Sequence, residues 1–215
     1  YESLILLTAV SETGHSGLMF IAEVVHWGAL AFMILVYSAR LVWLFSHPAG
    51  RDRQAKGERA ADNGALLGAM FSLGNVAMPW EMESTRKGFG FYVSFALFHI
   101  GVTAGIFLAF VSSLYRPLHE IAVVGYAFMA AIGIAFLISL VRVVRRFVVP
   151  HMRLISTPDD HFALWTLSVW FFFGFMAQGH IVGLFANEIW LVGYLLCTTF
   201  FLVYVPFSKI SHYLY

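Results

Sequence analysis

Nine histidines stand in a chain of 215 residues that is 60% hydrophobic and only 12% charged. His26, His99, His180 and His212 lie within, or close the end of, long apolar runs. An imidazole among Phe, Leu, Val and Ile side chains has no water for its two nitrogens, so it needs a specific partner. The chemistry that uses such a group is metal ligation: two imidazoles from different helices close both axial positions of a b-type haem iron and leave electron transfer as the task. The run FGFYVSFALFHIGVTAGIFLAFVSS, residues 89–113, carries His99 with Gly101 two residues on. A glycine there lets a flat macrocycle lie against the backbone. The single cysteine, Cys197, excludes an intrachain disulfide and an all-cysteine iron–sulfur or zinc site, so any metal is held mainly by histidine.

Positioning these histidines requires elements that cross a bilayer, each of about 20 mostly apolar residues. Such runs occupy 18–45, 89–113, 119–144, 161–185 and 189–207. The patch 65–80 is broken by Gly74, Asn75 and Pro79 and reads as an interfacial helix. The expected fold is therefore all-α: a polytopic membrane protein with a bundle of five transmembrane helices, an interfacial helix between spans one and two, and a single membrane-embedded domain over 1–215. No signal peptide is read at the N-terminus. Thr157 or Asp159 is placed to cap the fourth span, and small residues in YAFMAAIGIA suit close packing of the third.

Counting Arg40 and Arg142 with the helix ends they flank, every Lys and Arg except Arg116 lies after spans one, three or five. By the positive-inside rule the N-terminus is outside and the C-terminus cytoplasmic, in an inner membrane. That orientation gives each histidine a depth. His99 and His212 fall toward the cytoplasmic side, and His26 and His180 toward the outer side, which is the pattern of two haems on two levels. His161 is the strongest rival ligand for the inner site. His15, His47, His119 and His151 read as interfacial or loop side chains. Near the outer level Glu23, Gln178, Asn187 and Glu188 are candidates for hydrogen bonding a quinone or accepting its protons. Arg86 and Lys87 are placed to pair with haem propionates, and segments 48–64 and 147–160 to dock a cytoplasmic partner.

Three strings, FHIGV around His99, RRFVVPHMRLISTPDD, and VPFSKISH ending at His212, resemble the gamma subunit of respiratory nitrate reductase. PWEMESTRKGFGFYVSFALFHIG and ISTPDD are more similar to one branch of that family. Its members are the cytochrome b subunits that accompany heterodisulfide-reductase-like iron–sulfur proteins in sulfur-metabolising membrane complexes. The resemblance covers most of the chain from Pro79 onward. It implies five spans, heme b, exchange of electrons with a quinone or menaquinone pool, and a cytoplasmic iron–sulfur partner, with His99 and His212 holding the inner haem. The two outer-haem histidines of the nitrate reductase pattern are replaced here by Ala109 and Tyr194. His26 and His180 are the residues from which a second haem could be rebuilt.

The function expected is that of a dihaem b-type cytochrome, the membrane subunit of a quinone-linked oxidoreductase complex. The alternative is a histidine-lined transporter or proton channel without haem. Against it stand the lack of an internal repeat and the lack of paired Gly/Pro-interrupted helices.

Overall fold

The computed structural model describes residues 17–47, 64–77, 83–115 and 117–214. Within these, the side chains of 64, 65, 75–77, 84, 85, 119, 120 and 212–214 lie outside the description. The described chain is helical, without a strand. Its α-helices are α1 (Gly17–Ser46), α2 (Gly64–Ala77), α3 (Glu83–Lys87), α4 (Phe89–Leu114), α5 (Pro117–Glu120), α6 (Ala122–Val148), α7 (Pro150–Ile155), α8 (Pro158–Ile181) and α9 (Ile189–Tyr204). Five of the segments, α1, α4, α6, α8 and 189–207, are long and apolar enough to cross a membrane. The protein is an all-α, multi-pass membrane bundle.

The chain groups into two compact units, one formed by Tyr1–Arg40 with Leu97–Tyr215 and the other by Leu41–Ala96. In the larger unit, Met19 and Ala22 of α1, Phe98 and Leu108 of α4, Ile132 and Ala135 of α6, Trp170 and Phe171 of α8, and Tyr194 and Leu195 of α9 share one core. The outward faces remain apolar: Leu35, Phe107, Val123 and Leu137 are all exposed. Apolar surface of that extent needs lipid to cover it. In the smaller unit, α2 forms where a short helix between spans one and two was expected at 65–80. Its fourteen residues give a length of about 21 Å, short of the hydrocarbon core of about 30 Å. Leu66, Leu67, Met70 and Phe71 on it are exposed.

Local chemistry sets the ends of the helices. Span four begins at Pro158 because Thr157 and Asp160 form a capping box. The Asp160 N–H donates to Thr157 Oγ1 (3.3 Å), the Thr157 N–H donates to Asp160 Oδ2 (2.9 Å), and Pro158 sits where no N–H is needed. At its other end Leu184 N–H donates to Gly179 O (2.8 Å) and the chain turns through Gly183 at φ 81°, a conformation that glycine takes without cost. Pro206 tightens the end of span five into a 3-10 turn, Val205–Phe207. A second 3-10 segment, Lys209–Leu214, follows.

Candidate functional site

His99 projects from α4 into a recess of about 500 Å³ between α4 and α6, open on one side. Ile100, Thr103, Ala104 and Phe107 line it from α4, and Ala127, Phe128 and Ala131 from α6. Cavities that hold organic ligands run from about 300 to 1,000 Å³. The walls are alkyl and aromatic apart from His99 and Thr103, and the Thr103 hydroxyl donates to the His99 carbonyl on its own helix (2.9 Å). His99 and Thr103 are thus the polar side chains in the lining. The preceding residue, Phe98, points into the core and packs edge-on against Phe171, ring centroids 5.4 Å apart. Successive helical residues lie about 100° apart, so anchoring Phe98 turns His99 outward to the recess.

Gly101 does not serve as a cradle for a macrocycle. It is buried against α6, where an added Cβ would collide with Ala135 Cβ and lie 2.8 Å from Ala131 O. Its missing side chain brings the two helices together, as small residues do between membrane helices. This corrects its assignment to cofactor binding. Gly101 fixes the spacing of the recess walls instead.

His212 lies on the 3-10 segment Lys209–Leu214, with its side chain outside the described residues. What holds that segment is visible. Lys209 Nζ sits 3.4 Å from Asp160 Oδ1, 3.6 Å from Asp159 Oδ2 and 3.2 Å from Thr157 Oγ1. Arg146 Nη1 reaches Asp160 Oδ2 at 3.9 Å and donates to Ser156 Oγ at 2.7 Å, and the Tyr204 hydroxyl donates to Asp159 Oδ1 at 3.2 Å. The ends of spans three, four and five are joined by one polar clamp. Two of the strings singled out in the sequence, RRFVVPHMRLISTPDD and VPFSKISH, meet in it. Reading the sequence missed Arg146, Asp160 and Lys209 as a set. The available signal was the opposite charges flanking three different spans. His161, the rival ligand, packs its ring against Phe147 at 4.9 Å.

The outer pair stands on two helices, His26 on α1 and His180 on α8. Arg40 Nη1, further along α1, donates to Pro206 O and its guanidinium lies 5.2 Å from the Phe207 ring centroid. His26 is buried on the face of α1 that carries Met19, Ala22, Ala29 and Leu30, and its Nδ1 has no hydrogen-bond partner. His180 Nδ1 is 2.8 Å from Phe185 O. An N–H there donates to that carbonyl and leaves Nε2 as the acceptor.

The remaining candidates are scattered. Gln178 is fully buried with neither amide atom bonded. Glu23 and Glu188 are half-buried, and Asn187 is exposed with its Oδ1 accepting from the Ile189 N–H (2.9 Å), so it caps α9. Lys87 is paired with Glu83 at 2.7 Å on α3, and Arg86 is exposed beside it. Among the described residues no three His, Cys, Asp or Glu side chains form a metal-binding group.

Ala109 and Tyr194, which stand where the nitrate reductase pattern has its outer ligands, are buried in the core. The Tyr194 hydroxyl donates to Gly105 O. Trp170 stacks on the Tyr194 ring at 6.1 Å and 23°, and its indole N–H donates to Thr198 Oγ1 at 2.8 Å. Protein side chains fill this level.

The chain is similar to a protein of Nitratidesulfovibrio vulgaris. The two are 28% identical over 199 residues, covering 91% of this chain and 83% of that protein. No protein-family model matches the chain, and no solved structure does.

Proposed function

We propose that the chain is the membrane-embedded cytochrome b subunit of a quinone-linked oxidoreductase complex. It carries electrons between a quinone or menaquinone pool and a cytoplasmic iron–sulfur partner of heterodisulfide-reductase type. The observation that carries this reading is His99, an imidazole facing an apolar recess of about 500 Å³. That donor set, one nitrogen and otherwise alkyl and aromatic walls, suits a flat, largely apolar ligand with a nitrogen-seeking iron. It suits a hydrated metal ion poorly, since such an ion needs several polar donors.

The group bound there supplies one-electron redox chemistry, and the protein supplies position and dielectric. His99 is the ligand from α4. Ala104, Ala127 and Ala131 leave the recess wide enough for a planar molecule, and Gly101 sets the approach of its two walls. His212 is the second ligand on this reading. The contacts of Lys209 with Thr157, Asp159 and Asp160 hold its segment in register, and Ser211, buried beside it, donates to Ser208 O (2.8 Å).

At the outer level the positions of the missing ligands are taken by Ala109 and Tyr194, buried in the core with Trp170 stacked on the Tyr194 ring. The reading therefore places one haem per chain, at His99. The clamp end is cytoplasmic by the distribution of Lys and Arg, so segment 147–160 faces the soluble partner, whereas 48–63, also expected to dock it, lie outside the described residues.

The test is spectroscopic. Full-length protein purified from membranes is predicted to show reduced-minus-oxidised bands of a b-type haem that quinol elicits. Colourless protein from haem-replete cells would overturn the reading.

A further inference from the structure

Arg142 stands in the clamp-side part of α6, inside a segment long enough to span the membrane. Arg145 and Arg146 follow one turn later on neighbouring positions. Like charges at such spacing oppose each other. Arg146 is compensated by Asp160 and Ser156, and Arg145 is exposed at the helix end. Arg142 is half-buried, and among the described residues no carboxylate, carbonyl or hydroxyl accepts from it. Its contact is the face of the Phe98 ring, 4.1 Å from the guanidinium carbon.

A guanidinium keeps its proton and offers five N–H donors in a planar fork that matches a carboxylate. A ring face answers part of the charge and none of the donors. In a membrane-spanning helix such donors call for an anion. The position is specific: the Phe98 and His99 rings are neighbours with centroids 5.8 Å apart, and Phe98 is held in place by Phe171. Arg142 is therefore one aromatic ring away from the imidazole at the recess, on its clamp side.

We propose that Arg142 binds the carboxylate edge of the planar ligand that His99 holds. The carboxylate closes the open side of the guanidinium while Phe98 covers the other. This rests on the functional reading above.

The experiment uses full-length protein purified from membranes in its haem-loaded form, with variants R142M, R142Q, R142K and R145Q. Haem retention on dilution and the midpoint potential by redox titration are read for each. Loss of one charge-assisted bond is predicted to weaken haem retention about tenfold in R142M and R142Q. It is also predicted to lower their midpoint potential, because a cation beside the haem favours the reduced state. R142K keeps the charge and most of the potential, and R145Q is unchanged. Wild-type retention and potential in R142M or R142Q overturn the assignment, as does a shift in R142K as large as that in R142Q, which would make the role one of packing rather than charge. A colourless wild-type protein defeats the functional reading itself, whereas a red wild type with indifferent Arg142 variants defeats only this step.

Discussion

Lys209 Nζ lies 3.4 Å from Asp160 Oδ1, across 49 residues of sequence. That ion pair ties the tail carrying His212 to the first turn of span four, and Arg146 ties the same carboxylate to the end of span three. The two partners do different work. Asp160 also completes the capping box with Thr157, so Asp160→Ala removes a cap and its ion pairs together. A loss of about 1–2 kcal/mol in stability is predicted for it, read by thermal unfolding in detergent.

Lys209→Met separates the clamp from the cap. The Lys209 side chain is 61% exposed, and an exposed pair contributes no more than about 1 kcal/mol. The variant is predicted to fold with near-normal stability while the tail loses its register. If His212 holds the haem together with His99, its displacement should give the ferric spectrum a high-spin fraction that the wild type lacks. A purely low-spin spectrum in Lys209→Met would show that the clamp does not place the ligand.

Gly101→Leu puts a branched side chain where even a single Cβ meets Ala135. Overpacking of this kind costs about 1–3 kcal/mol. Because the same contact sets the width between α4 and α6, haem retention should fall with stability. Gly68→Leu, with open space around its Cβ position, is the control and should change neither.

His26→Ala and His180→Ala are predicted to leave the haem-to-protein ratio unchanged. His180→Ala still frees the Phe185 carbonyl from its 2.8 Å bond, which contributes about 1 kcal/mol. A halved haem content in both variants would restore the two-level arrangement.

Thr198→Val leaves the indole N–H of Trp170 buried without an acceptor. About 1–3 kcal/mol is predicted for the unsatisfied donor. The effect is read as a lower unfolding midpoint with an unchanged haem spectrum, since Trp170 lies in the core and does not line the recess at His99.

The spans were legible because length and apolarity alone specify them, and the capping signal at Thr157 placed the start of span four to within a few residues. The direction of His99 was not legible. It depends on Phe98 finding Phe171 in the core, a contact between spans two and four that no local pattern announces. Gly101 was read through its neighbour in sequence, His99, when its partner is Ala135 on another helix.

The most direct measurement is the haem content and reduced spectrum of His99→Ala beside the wild type, both as full-length protein purified from membranes and matched for helical content. The account predicts a wild type with one b-type haem per chain and a variant that has lost it while remaining folded. A folded His99→Ala that keeps its full haem complement would contradict the account.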